Sequence, residues 1–197
     1  MIDAARIGLA LLGLASASSP TQEGSEVHTI VDLDRRTADR WQIVNDGVMG
    51  GLSRSRMSFD GPVATFEGEV SLANNGGFAS VRTSVDRMDL SDWDGIELRI
   101  EGRGGTFQLR LRTDDRSDGV AYRARFVAPD GEFGSVRIPF TAMEPTWRGR
   151  VLPDVPPLDP SRIEQVGFLI ADGQEGAFRL QVERIGTYRD TEKHRAP

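Results

Sequence analysis

The sequence predicts an all-β fold, a sandwich or barrel of short strands, on three observations. Apolar and polar residues alternate with a period of two in at least seven segments, which places successive side chains on opposite faces of a strand. The segments are separated by turns rich in glycine, asparagine and aspartate. No stretch after residue 26 sustains a 3.6-residue period over three turns.

Residues 7–15 (I-G-L-A-L-L-G-L-A) form a short apolar run, well under the ~20 residues that a membrane-crossing helix needs. Arg6 precedes it and Ala15-Ser16-Ala17 follows, a small-x-small pattern suited to signal peptidase, although Asp3 is atypical of a positively charged leader. Residues 1–17 are therefore expected to be a cleaved export signal and residues 18–26 a flexible leader. The other readings are an ordinary N-terminal helix or a mis-assigned start. Cleavage implies a periplasmic or secreted protein, and an uncleaved chain a cytoplasmic one.

Strands are expected from residue 27. Ala64, Phe66, Gly68, Val70 and Leu72 oppose Thr65, Glu67, Glu69 and Ser71, and Ile96, Leu98 and Ile100 oppose Glu97, Arg99 and Glu101. Phe107, Leu109 and Leu111 oppose Gln108, Arg110 and Arg112, and Val120, Tyr122, Ala124 and Phe126 oppose Ala121, Arg123 and Arg125. Val136, Ile138 and Phe140, then Val166, Phe168 and Ile170, then Phe178, Leu180 and Val182 supply the remaining apolar sets. Asn74-Asn75-Gly76-Gly77, Gly102-Arg103-Gly104-Gly105, Asp118-Gly119, Pro129-Asp130-Gly131 and Asp172-Gly173 punctuate them. Single helical turns are expected over residues 88–93 and after Asp159, where Pro160 suits a first helical position. With no internal repeat and no break in composition, residues 27–188 read as one domain and residues 189–197 as a polar tail.

Composition removes most catalytic machinery. The 197-residue chain is 38% hydrophobic and 27% charged, as in ordinary globular proteins, and its net charge of -6 argues against a nucleic-acid partner. It has no cysteine, which excludes disulfides, thiolate metal sites and cysteine nucleophiles. Lys193 is the only lysine, so no phosphate-binding loop can be completed, and His28 and His194 lie near the ends. Gly102-Arg103-Gly104 is followed by strand, with Phe107 where a dinucleotide fingerprint needs its third glycine. The loop from Asp114 begins like a calcium site, but Arg116 and Arg125 occupy ligand positions three and twelve. Glu67 and Glu69 share a strand face and read as solvated residues rather than a catalytic carboxylate pair. No catalytic residue, metal or cofactor is expected.

Three features remain. Arg99, Arg110, Arg112, Arg123, Arg125, Arg137 and Arg179 all fall on the polar phase of strands. On a common sheet they would form a guanidinium band interleaved with Glu97, Glu101 and Glu183, able to grip carboxylates, sugar hydroxyls or a protein, or simply an ion-paired exposed face. A long connection after Phe140 carries Trp147-Arg148-Gly149-Arg150 and then four prolines between residues 153 and 160, and reads as either a functional loop or a strap closing one end. Finally, residues 45–53 (N-D-G-V-M-G-G-L-S) and 74–82 (N-N-G-G-F-A-S-V-R) hold more glycine than simple turns require. The first is expected to be a tight loop with positive φ at Gly47 or at Gly50-Gly51.

On those two motifs, the R-G-R at residues 148–150 with its proline-bearing loop, and G-F-L-I-A-D-G-Q-E-G-A-F-R-L at residues 167–180, the chain resembles the complex I (NADH:ubiquinone oxidoreductase) intermediate-associated protein 30 family. The resemblance covers nearly all of residues 30–188. It implies a galactose-binding-like jelly-roll β-sandwich of two antiparallel sheets, related to carbohydrate-binding modules, and no enzymatic activity. The mitochondrial members are assembly factors that hold an intermediate of complex I on the matrix side, a place an export signal would contradict. The family offers no catalytic residues to carry over.

Two functions follow as expectations: a non-catalytic assembly or chaperone-like protein with a protein partner, or a carbohydrate- or small-ligand-binding module. The binding surface is expected to join Trp147, Arg148 and Arg150 with Asn45, Asp46, Met49 and Arg82, because arginine and tryptophan combine contact area with directed donors. The alternative is that an arginine of this segment anchors the proline loop to Asp46 or another buried acid.

Overall fold

A computed structural model describes residues 27–86, 89–114 and 119–190. The expected export signal, the leader and all of the tail except Arg189 and Asp190 lie outside the described residues, as does Met88.

The described residues form thirteen strands: β1 Val27–Val31, β2 Gln42–Ile43, β3 Arg54–Asp60, β4 Val63–Val70, β5 Ala79–Ser84, β6 Gly95–Arg103, β7 Thr106–Arg112, β8 Ala121–Val127, β9 Gly134–Pro139, β10 Glu144–Trp147, β11 Arg150–Val151, β12 Gln165–Ile170 and β13 Gly176–Tyr188. They build two antiparallel sheets. One has the order β3-β4-β13-β6-β9, with β1 also paired to β13; the other runs β11-β10-β8-β7-β12-β5-β2. This is the all-β sandwich that the alternation predicts, with a jelly-roll architecture.

The alternating apolar residues are the reason the sheets stack. Phe66, Leu98, Ile100 and Leu180 from the first sheet meet Phe107, Leu109, Leu111 and Phe168 from the second, all without measurable exposure. Phe178 bridges the layers, with its ring 4.9 Å from that of Phe66 and 6.3 Å from that of Phe107. Burial of each such side chain contributes roughly 1.5–3 kcal/mol. Leu72, which alternation puts on the apolar face, is instead 41% exposed, because β4 ends at Val70 and the chain turns away.

The long proline connection is a strap. Leu158 is buried, the Tyr122 hydroxyl donates to the Pro156 carbonyl at 3.2 Å, and Leu152 N–H donates to the Pro145 carbonyl at 2.9 Å. A 3-10 turn, Pro160–Arg162, follows Asp159, whose carboxylate accepts from Ser161 N–H at 3.0 Å.

The single guanidinium band divides in two. Arg99, Arg137 and Arg179 belong to the six-stranded sheet together with Glu97, Glu101 and Glu183, whereas Arg110, Arg112, Arg123 and Arg125 belong to the seven-stranded sheet. Alternation reports which side of a strand faces solvent. It does not report which sheet the strand joins, and the chain crosses between sheets at the β6–β7 and β8–β9 connections.

Candidate functional site

The two glycine-rich motifs are halves of one structure. Residues Asp46–Met49 form a 3-10 turn closed by Gly50, which adopts φ 90°. The Asp46 carboxylate is fully buried at its centre. Its Oδ1 accepts from Ser53 N–H at 3.0 Å, and its Oδ2 accepts from Gly77 N–H at 2.6 Å, Phe78 N–H at 3.2 Å and the Ser53 hydroxyl. Burial alone would push this carboxyl up, but the Ser53 hydroxyl and the three amides outweigh it and hold the group below its usual value. Gly51 has no room for a side chain, since a Cβ there would overlap the Asp46 carboxyl group. Of the expected positions, Gly50 takes positive φ, while Gly51 is required by close approach.

Asp46, expected on the binding surface, is instead placed as an internal hub, because its carboxylate has no exposure and already accepts four hydrogen bonds from within the protein. Its partners are hydroxyl and amide donors rather than an arginine, so it does not anchor the proline strap either. Asn45 acts beside it: its Oδ1 accepts from the Ser55 hydroxyl at 2.8 Å and from Ser80 N–H at 3.4 Å. What the hub projects outward is aliphatic, with Val48 74% and Met49 64% exposed.

These two residues form one lip of a groove of ≈ 780 Å³ over the outer face of the seven-stranded sheet. The opposite lip is the β10–β11 hairpin. Arg148 and Gly149 have φ of 48° and 80°, the doubly positive pair that a two-residue hairpin loop requires. The Arg148 guanidinium lies 4.7 Å from the Trp147 ring centroid and covers that face of the indole.

The floor is a cross-strand row. Strand register aligns Gln42, Arg82, Gly167, Arg110, Arg123 and Glu144 on six neighbouring strands. Arg112 and Gln165 lie opposite each other on one side of this row; Gln108, Leu169 and Ser80 lie on the other. Among the described residues, five arginines line the groove (Arg82, Arg110, Arg112, Arg123 and Arg148) against one carboxylate, that of Asp172. Burial pushes Arg110 down to about 10, with Arg112 and Arg123 adding to the effect and Asp172 opposing it. Arg110 donates to Gln108 Oε1 at 3.4 Å and, among the described residues, joins no ion pair. Arg123 is 6% exposed, and its Nε stands 3.5 Å from Glu144 Oε2 without making a hydrogen bond. Gln165, 8% exposed, has an Oε1 with no donor.

The groove thus brings together Met49, Arg82, Trp147 and Arg148 of the expected set. Arg150 is exposed but lies outside its lining, as do Asn45 and Asp46. Sequence reasoning did not place Val48, Gly167 or Gln165 in a site, and it could not tell which arginines of the polar phase share a face. Among the described residues, no three histidine, aspartate or glutamate side chains converge as metal ligands, and no helix is long and apolar enough to cross a membrane.

The other sheet carries a concavity of ≈ 810 Å³ lined by Arg54, Arg56, Glu67, Glu69, Arg103 and Arg179 among others. Glu67 takes Arg56 at 2.5 Å and Arg179 at 3.9 Å.

Residues 31–182 match the family model described as Complex I intermediate-associated protein 30. The chain is 24% identical over 178 residues to the mouse (Mus musculus) mitochondrial Complex I intermediate-associated protein 30, covering 80% of this chain and 54% of that protein, so it spans about half of that relative's length. It is 31% identical over 166 residues to an uncharacterized protein of Schizosaccharomyces pombe, covering 74% of this chain and 76% of the yeast protein. Among solved structures, a Family 11 carbohydrate-binding module of Clostridium thermocellum, in complex with a β-1,3-1,4-mixed-linked tetrasaccharide, superposes with a TM-score of 0.60 at 18% identity, covering 83% of this chain and 96% of the module.

Proposed function

Because the chain belongs to the Complex I intermediate-associated protein 30 family, we propose that it is a non-catalytic binding protein that holds a protein partner in an assembly role, and that the groove of the seven-stranded sheet is where the partner sits. The observation that carries this reading is the make-up of the groove. Among the described residues its lining has five arginines to one carboxylate, with two exposed aliphatic residues at its lip. An isolated protein gains nothing from these features, whereas a partner supplies acceptors and apolar cover. An intermediate of a respiratory NADH dehydrogenase is the partner that the family name suggests. The non-catalytic part of the proposal is supported by Glu67, half of the strand-face carboxylate pair, being ion-paired with Arg56.

The likeness to a carbohydrate-binding module favours a sugar in the same groove only at the level of fold. Sugar platforms need an open aromatic face, and the groove-lining tryptophan is covered by Arg148 on one face.

The test is site-specific photocrosslinking in the cells that make the protein, with the crosslinker at Met49, at Trp147 and, as a control, at Arg54 on the other sheet. Defined protein adducts from Met49 and Trp147 that are missing from Arg54 are expected. Adducts from Arg54 alone would move the interface to the opposite sheet. Sequencing the mature N-terminus settles the compartment: a chain starting near residue 18 is exported, and an intact start places complex I within reach.

A further inference from the structure

The chemistry of the groove defines its occupant more narrowly than the family does. This step rests on the reading of the groove as the binding face. We infer that the groove takes an acidic, extended polypeptide segment whose carboxylates lie along the Arg82–Gly167–Arg110–Arg123 row.

Charge is the first reason. A chain of net charge -6 gathers five arginines around one groove and, among the described residues, a single carboxylate in its lining. Arg110 has two other arginines as its main charged neighbours and, among the described residues, no ion-pair partner. Guanidinium groups bind carboxylates through paired parallel hydrogen bonds, so an acidic ligand relieves the repulsion and satisfies the donors together.

Spacing is the second reason. Neighbouring strands lie about 4.8 Å apart, so the Cα atoms of Arg82 and Arg110 flank Gly167 at roughly 10 Å separation, and the four-residue row spans roughly 14 Å. At Gly167 a Cβ would overlap the Val81 carbonyl of the adjacent strand. The resulting gap in the floor is a cell into which the two long flanking side chains can converge on one acid. In an extended peptide, alternate side chains recur at about 6.8 Å, so a peptide lying along the row presents two or three of them to it.

The lips are the third reason, and they separate a polypeptide from an acidic sugar. Val48 and Met49 are aliphatic and exposed, and Trp147 is stacked beneath Arg148. Such lips grip the aliphatic side chains of a peptide. The indole face that Arg148 covers is closed to a pyranose ring.

The experiment measures binding of the intact protein to fluorescein-labelled hexaglutamate, hexaglutamine, trigalacturonate and the neutral mixed-linked β-glucan tetrasaccharide, at 20 mM and 500 mM NaCl. Hexaglutamate is expected to bind and hexaglutamine not to. Binding should weaken at least about tenfold in Arg82→Gln and in Arg110→Gln, and again at the higher salt. Melting temperatures of both variants at or near the wild-type value show that the loss is not unfolding. Trigalacturonate binding as tightly as hexaglutamate overturns the choice of a polypeptide. The glucan binding in a groove-dependent way while hexaglutamate does not overturns the acidic inference but leaves the groove as the binding face. Hexaglutamate binding that ignores Arg82→Gln and Arg110→Gln but falls in Arg54→Gln overturns the groove itself. If no probe binds at millimolar concentration, the acidic inference fails, and the crosslinks from Met49 and Trp147 still judge the groove.

Discussion

Replacing Asp46 with asparagine removes one acceptor from a buried side chain that accepts four hydrogen bonds, and its cost can be worked out atom by atom. The carboxylate accepts four hydrogen bonds, one at Oδ1 and three at Oδ2. An amide oxygen placed at the Oδ2 position keeps three of them but loses their charge assistance. The amide NH2 then faces the Ser53 N–H, donor against donor, with no water to intervene. Leaving one buried N–H unsatisfied costs ~1–3 kcal/mol, and weakening charge-assisted bonds costs about as much again. A loss of about 2–6 kcal/mol follows, or roughly 4–24 °C in melting temperature for a domain of this size. Thermal unfolding followed by tryptophan fluorescence reads it directly. The carboxyl is held below the ordinary aspartate value in the folded protein, so its contribution is present above that value and is lost as pH falls through the lower folded one. Wild type and Asp46→Asn should therefore differ at pH 7 and converge below pH ~4. A melting temperature within 2 °C of wild type at pH 7, with no change in the gap on acidification, would refute the hub.

The same geometry orders two glycine substitutions: Gly50→Ala forces an alanine to φ 90° at a cost of ~1–2 kcal/mol, whereas Gly51→Ala pushes a methyl group into the Asp46 carboxyl and should lower the melting temperature further. If both melt like wild type, the backbone argument fails. On the other sheet, Glu97 is 3% exposed and holds Arg137 and Arg184, each at 2.9 Å. Glu97→Gln should cost about 3 kcal/mol in a urea titration, toward the low end for a buried pair because both arginines reach solvent; an unchanged midpoint would contradict it. Arg148→Ala should leave the melting temperature within about 1 °C and abolish crosslinking from the Trp147 lip, while Arg150→Ala, outside the groove, should preserve it. Equal effects of the two would remove the distinction between them.

Strand phase was legible because burial on one face imposes it directly. Phe107, Leu109 and Leu111 read as inward-facing and are fully buried. Sheet membership was not legible, since a strand that turns into the opposite sheet keeps the same alternation; that is why the arginine band split. The glycine motifs announced an unusual loop, but nothing in N-D-G-V-M-G-G states that the aspartate points inward. Its donors come from residues 53, 77 and 78, a pairing between distant segments that spacing does not reveal. Arg148 and Arg150 looked equivalent about Gly149. The two-residue hairpin separates them, putting Arg148 in the loop and Arg150 on the returning strand.

The division of the arginines is what turns composition into a functional argument. On the six-stranded sheet, Arg99 pairs with Glu183 at 3.1 Å, Arg137 and Arg184 share Glu97, and Arg56 and Arg179 share Glu67. Those pairs need only the ordinary account of an exposed sheet, cross-strand neutralisation. On the seven-stranded sheet, Arg125 has Asp172 at 2.8 Å, yet Arg110 at the centre of the row has chiefly other arginines as charged neighbours. If crowding of like charge served stability, removing one member would weaken the protein. Repulsion argues the reverse: Arg110→Gln should melt at or slightly above wild type while the groove loses its hold on acidic peptides. A residue whose removal stabilises the free protein and weakens only the complex is placed there for the complex. A clear fall in melting temperature for Arg110→Gln would make the arginine row part of the scaffold.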